Sequence, residues 1–279
     1  MKQQAVRVTI FYLLFLSPLA IRAGEIGLSY SSDSNSTQSS SLDISVDATE
    51  QTQLYLGAGE SVIKDDSGEI TVASYNIGLS VLADEQLDYG VGYSYWGNSN
   101  EISTETVHLS LSLYTEDWKF TMRPELQQIV LYTKSARRQV DINGSGFYSS
   151  VEYFGFDKVE FFYAHSNYTY NKNLTLLNTR LADLFFSNTS LLLGGSFIEK
   201  RDQAEVAFNL DGNNGLPNRI AVSYSQSLIA IDKSHSKTVA LNLRFDLSKN
   251  IELELEGGEV RPEFSSKLNY GVVSLRYKY

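Results

Sequence analysis

Three histidines and one row of carboxylates are the groups in this chain whose types and spacing suit chemistry. His108-Leu109-Ser110 sets an imidazole and a hydroxyl two residues apart, which on a strand is the same face. A base beside a hydroxyl is the start of a nucleophilic hydrolase site. Asp232 and His235 form a second acid–base pair, in a loop-like stretch where charged residues are ordinarily just solvated. His165 has no convincing partner in the sequence. The strongest constellation is electrostatic. Glu252, Glu254 and Glu256 repeat at every second position, Arg244 and Asp246 lie on the preceding segment, and Arg276 and Lys278 lie on the following one. On neighbouring strands these side chains would stand about 5 Å apart across the sheet. Lys119, Arg123 and Glu125 make a second charged patch. Such groups either set the field through which polar solutes and ions pass or pair off as filler of a wall. No Gly-rich phosphate loop and no metal-spaced His/Cys cluster is present, so no cofactor is expected.

These groups sit on segments that repeat one pattern. Apolar and polar residues alternate for roughly ten positions, and a few turn residues follow. Val107, Leu109, Leu111 and Leu113 oppose His108, Ser110, Ser112 and Tyr114. Val239, Leu241, Leu243 and Phe245 oppose Ala240, Asn242, Arg244 and Asp246. The candidate strands are 24–32, 42–49, 53–62, 69–82, 86–97, 104–115, 118–132, 146–155, 158–170, 174–186, 190–200, 203–211, 218–231, 237–247, 250–259 and 268–279. Two places weaken the count. Leu174, Leu177, Leu181 and Leu184 have helical spacing, and Gly212 to Pro217 is long for a tight turn. The stretch 134–146, with Lys134, Arg137, Arg138 and Asp141, reads as the longest loop, either a mobile tip or a segment folding inward.

Composition narrows the class. Lys2 and Arg7 precede an apolar run from Val8 to Ile21, and Ala23 suits the last position before cleavage. Residues 1–23 are therefore expected to be a signal peptide, with residues 24–279 as one domain. The net charge is −10, and removing Lys2, Arg7 and Arg22 would make the remainder more acidic still. That argues against a nucleic-acid partner. The absence of cysteine rules out a lipoprotein anchor and disulfides. Eighteen tyrosines against two methionines and four prolines suit strands and turns.

The chain ends on Val273, Leu275, Tyr277 and Tyr279 at alternate positions, opposite Ser274, Arg276 and Lys278. This resembles the closing strand of Gram-negative outer-membrane β-barrel proteins of the porin-like kind. The resemblance implies an all-β, transmembrane, antiparallel up-and-down barrel of about sixteen strands, with twelve or fourteen as the alternatives. It implies location in the outer membrane after signal-directed export, with outer-membrane lipids and the barrel-assembly machinery as partners. That machinery would read the terminal apolar series. The polar side of each segment would then face a wet lumen and the apolar side lipid. Trp118, Phe120, Phe245, Tyr277 and Tyr279 would form one aromatic girdle, and Tyr93, Tyr95, Tyr132, Tyr168 and Tyr170 would lie near the other, not all of them turned to lipid. His108-x-Ser110 resembles the His-x-Ser of outer-membrane phospholipases and lipid A deacylases. It departs at Leu111-Ser112, and alternation turns both groups inward, so no enzyme is expected. The expected function is a passive channel for small hydrophilic solutes or ions. Export of a polymer such as an exopolysaccharide is the alternative, and a lipid-modifying enzyme a more distant one.

Overall fold

The computed structural model describes residues 24–65, 68–98, 102–133, 138–172, 197–210, 216–264 and 266–279. Residues 1–23, the expected signal peptide, lie outside them. Fourteen strands follow one another: β1 (Gly24–Asp33), β2 (Gln38–Asp47), β3 (Thr52–Asp65), β4 (Gly68–Asp84), β5 (Leu87–Asn98), β6 (Ile102–Tyr114), β7 (Trp118–Thr133), β8 (Arg138–Phe156), β9 (Val159–Tyr170), β10 (Ile198–Asn209), β11 (Arg219–Ile229), β12 (His235–Asp246), β13 (Ile251–Pro262) and β14 (Leu268–Lys278). Each pairs antiparallel with the next, and β14 pairs with β1, so the sheet closes on itself. Closure leaves no strand edge to satisfy, as hydrocarbon requires. Gly24 and Tyr279 exchange backbone hydrogen bonds of 3.2 and 3.1 Å and bring both termini to one end.

Among the described residues the wall has fourteen strands, one of the alternative counts, rather than sixteen. β10 pairs directly with β9, from Lys200 opposite Asn167 to Phe208 opposite Val159, so no strand stands between them. The candidate strand 174–186 and most of 190–200 lie outside the described residues, apart from Ile198 to Lys200, which open β10. The remaining fourteen candidates each correspond to one strand. The count stays even, which is what places the termini together.

Outward-facing side chains make an apolar band. Leu241, Leu275, Val273, Val107, Leu109 and Leu111 are all well exposed there. Trp118 stacks on Phe120 and packs against Tyr153, and Tyr277 stacks on Tyr279, near the terminal end. Tyr168 of the other expected girdle instead points inward and is buried. Leu241 is 45% exposed on this outer face. Leu241→Arg is expected to cost about 2–4 kcal/mol in urea unfolding from micelles, because the charge would enter hydrocarbon. A cost within error would mean that this face does not meet acyl chains.

Toward the end opposite the termini, the two sides exchange character. In β8, Gln139, Asp141 and Asn143 face outward and are exposed, while Ile142 faces inward and is fully buried. The stretch expected as a loop at 134–146 is thus mostly wall. Arg138 to Gly146 pairs with β7 along its length, and only 134–137 fall outside the described residues. The physical reason is a change of solvent. An outer face that meets hydrocarbon is apolar and one that meets water is polar, so the exchange is what a wall passing from one to the other produces.

Candidate functional site: the lumen

Inward-facing residues form three levels along the bore. Near the terminal end many are charged, because strands such as β7, β10, β13 and β14 alternate a carboxylate or cation inward with an apolar residue outward. Glu252 of β13 is the hub. It is 5% exposed. Arg244 Nε lies 3.4 Å from it, Arg276 Nη1 3.4 Å and Lys278 Nζ 3.3 Å. The register that sets these distances places Glu252 opposite Asp246 on one side and Arg276 on the other. Arg276 also reaches Glu254 at 3.0 Å and Glu25 of β1 at 3.6 Å. Glu254 accepts from the Asn242 amide, Glu256 accepts from the Tyr270 hydroxyl at 2.8 Å, and Asp246 accepts from the Asn218 amide at 2.6 Å. Every member of the expected cluster around the Glu ladder therefore has a partner.

Across the bore, Lys119 pairs with Glu152 at 2.9 Å. A further group escaped the sequence reading: Arg219 lies 2.8 Å from Glu205 and 3.3 Å from Glu160, which also accepts from Asn209. These residues come from three strands, and only the order β9-β10-β11 brings them together.

The middle level is a polar cavity of about 350 Å³. His108, Arg123, Glu125, Gln127, Tyr168, Arg201 and Gln203 line it. Arg123 Nε is 2.6 Å from Glu125 Oε1, and its guanidinium lies 4.5 Å above the Tyr148 ring. Tyr168 donates to Glu125 at 2.7 Å, and Arg201 Nε donates to Ser227 Oγ at 3.0 Å. Two guanidinium groups face one carboxylate, so the cavity carries a positive bias. Arg201 was absent from the expected site because β10 was assigned to begin at 203.

Tyr168 reaches Glu125 only because Gly146 leaves room for its ring; a Cβ built there would overlap the ring. Gly146→Ala is expected to cost about 1–3 kcal/mol of unfolding free energy by forcing that ring aside. Gly257→Ala, where a Cβ meets nothing within 4 Å, is the control and should be nearly neutral.

The third level, farthest from the termini, is apolar. Ile63, Ile70, Val72, Ile102, Ile129, Leu131, Ile142, Phe197, Ile198, Ile229, Val260 and Leu268 form one buried cluster across the bore. Phe197 sits there with a positive φ of 59°.

Neither candidate acid–base pair, His108 with Ser110 or Asp232 with His235, is joined by a hydrogen bond. His108 and Ser110 both face the lumen, and the His108 ring covers Gly92. Asp232 accepts from Ser234 N and Oγ at 3.0 and 2.7 Å, while His235 meets Gln226 and Glu263. His165, read as lacking a partner, has one: its Nδ1 is 2.8 Å from Asp202 Oδ1. Among the described residues no group of three or more His, Cys, Asp or Glu could hold a metal ion.

With this geometry the solved structures can be compared. The CymD monoaromatic hydrocarbon channel superposes with a TM-score of 0.55 at 7% identity, over 95% of this chain and 91% of that one. What the two share is the fold, a closed antiparallel β-barrel. The NanC porin gives 0.48 at 11% identity, over 90% of this chain and 98% of that one. OpdK of Pseudomonas aeruginosa with vanillate gives 0.46 at 10% identity, over 92% and 97%. No family model matches the sequence, and no curated protein matches it. The shared fold supplies what the three levels need, a closed wall with one inner and one outer face.

Proposed function

We propose that this chain is a passive outer-membrane channel for small hydrophilic solutes or ions, with its termini on the periplasmic side. The observation that carries the reading is the polar cavity of about 350 Å³ enclosed by a barrel whose outer face is apolar. Arg123 and Arg201 against Glu125 favour a small solute bearing a negative group. The apolar cluster beyond the cavity acts as a constriction that resists wetting and holds conductance low until it opens. The same cluster favours a second reading, in which the solute that passes is small and apolar. An extended polysaccharide fits less well, because it needs an uninterrupted wet bore.

Liposome swelling tests the first reading. Proteoliposomes holding the folded barrel should swell in small sugars and organic anions faster than empty liposomes. Uptake of a small aromatic hydrocarbon without such swelling would favour the second reading. No permeation of either kind by a heat-modifiable, folded barrel would end both.

We also propose that Val273, Leu275, Tyr277 and Tyr279, all outward in β14 and its terminus, are the series that the barrel-assembly machinery reads. Removing Tyr279 should then lower the heat-modifiable fraction recovered from membranes. Unaltered recovery would count against that role.

A further inference from the structure

On the outside of the barrel, three side chains stand in one row across three adjoining strands. Ser149 of β8 is the cross-strand partner of His165 of β9, and His165 is the cross-strand partner of Asp202 of β10. All three alternate along their strands with the inward residues Ser150, Ala164, Ser166, Arg201 and Gln203, which puts their side chains on the outer face, although His165, as part of the wall, also borders the lumen cavity. His165 and Asp202 are 32% and 38% exposed, so the row is reachable from outside.

The geometry orders the three groups. Asp202 Oδ1 lies 2.8 Å from His165 Nδ1. An ionised carboxylate only accepts, so Nδ1 carries the proton and Nε2 keeps its lone pair. With Nδ1 engaged by Asp202 on the β10 side, Nε2 is the ring nitrogen left for Ser149, the cross-strand neighbour on β8. Directly opposed side chains on neighbouring strands have Cβ atoms about 4.5–5.5 Å apart, close enough for hydroxyl and imidazole to meet. Asp202 is further held by the Tyr163 hydroxyl at 2.8 Å and by Lys200 Nζ at 3.5 Å.

The position of the row tells what it would meet. On its terminal side the outer face carries Phe161, Tyr163, Val151 and Val206, and on its other side Asn167, Thr169 and Lys200. It therefore lies where the apolar band ends, at the depth where acyl chains join their headgroups through ester bonds and where water is available.

We propose that Ser149, His165 and Asp202 form a hydrolytic site on the membrane-facing surface, whose substrate is the acyl ester of a lipid. Ser149 Oγ attacks the ester carbonyl carbon as its proton passes to His165 Nε2. The ester C–O bond breaks, and the leaving alcohol takes that proton from His165. Water then adds to the acyl-serine with His165 as base, the Oγ–acyl bond breaks, and a fatty acid leaves with Ser149 restored. Asp202 is a positioning residue that holds the tautomer and offsets the imidazolium. This site is independent of the lumen, and either reading can stand without the other.

The test uses the full folded barrel in mixed micelles containing either glycerophospholipid or lipopolysaccharide, together with a fluorophosphonate probe. The expected result is labelling that maps to Ser149 and fatty-acid release from one of the two lipids, which identifies the source of the ester. Ser149→Ala should abolish labelling and lower release by about 10³-fold or more while keeping heat-modifiable mobility and conductance. Asp202→Asn should lower kcat by about 10³–10⁴-fold with KM little changed. The proposal is overturned if the folded wild-type barrel is unlabelled at Ser149 and releases fatty acid from neither lipid. It is equally overturned if release survives in Ser149→Ala.

Discussion

Changing Ile129 and Ile142 together to serine is expected to raise the single-channel conductance of the barrel several-fold. The two isoleucines are direct cross-strand partners on β7 and β8, and both are 0% exposed, within the apolar cluster that crosses the bore. Each substitution removes three methyl or methylene carbons' worth of packing and leaves a hydroxyl among isoleucines. An unpaired buried hydroxyl costs about 1–3 kcal/mol, and admitting water relieves that cost. The polar cavity below supplies the water, so wetting spreads from one side. Paired Ile→Val changes at both positions separate volume from polarity. They should cost about 0.5–1.5 kcal/mol each in stability and leave conductance low. Planar-bilayer recording of both variants, with heat-modifiable mobility as the check on folding, decides the matter. Equal conductance in wild type and the serine pair would mean that this cluster does not limit passage.

Glu252→Gln should shift the reversal potential under a salt gradient toward that of the anion. One buried carboxylate faces Arg244, Arg276 and Lys278 at 3.3–3.4 Å, so neutralising it takes away the carboxylate partner of Arg244 and Lys278, while Arg276 keeps Glu254 and Glu25. Breaking a fully buried pair costs about 3–5 kcal/mol. Arg276 and Lys278 remain partly exposed to lumen water, which screens them, so a loss of about 1–3 kcal/mol in urea unfolding is expected. Glu254→Gln should act in the same direction more weakly, since Arg276 keeps Glu252 and Glu25. Raising salt to about 1 M shortens the screening length to roughly 3 Å and should erase most of the shift in selectivity. A reversal potential identical to wild type at low salt would assign the whole cluster to holding the wall together.

Much of the architecture could be read before any coordinates. Period-two alternation in Val107 to Leu113 and Val239 to Asp246 placed those side chains on the correct faces, and the terminal Tyr277 and Tyr279 marked a closing strand. The Glu ladder and its cations were legible because they lie on three consecutive hairpin-connected strands, where neighbours in sequence are neighbours in space. The strand count was less legible. The 174–186 candidate, whose helical leucine spacing already weakened the count, lies outside the described residues, and among those that are described β9 pairs directly with β10.

What the sequence determined by itself is which residues of each strand share a face, because successive side chains point to opposite sides whatever surrounds them. What the tertiary structure decided is which solvent each face meets and which distant residues stand abreast. The first changes along the barrel: alternation in β8 runs unbroken from Gln139 to Tyr153, yet polar residues face out above the apolar band and in within it. The second depends on register across a closed ring. His165 and Asp202 lie 37 residues apart, and nothing local in either strand says that β10 will follow β9 in the wall and slide until those two side chains meet.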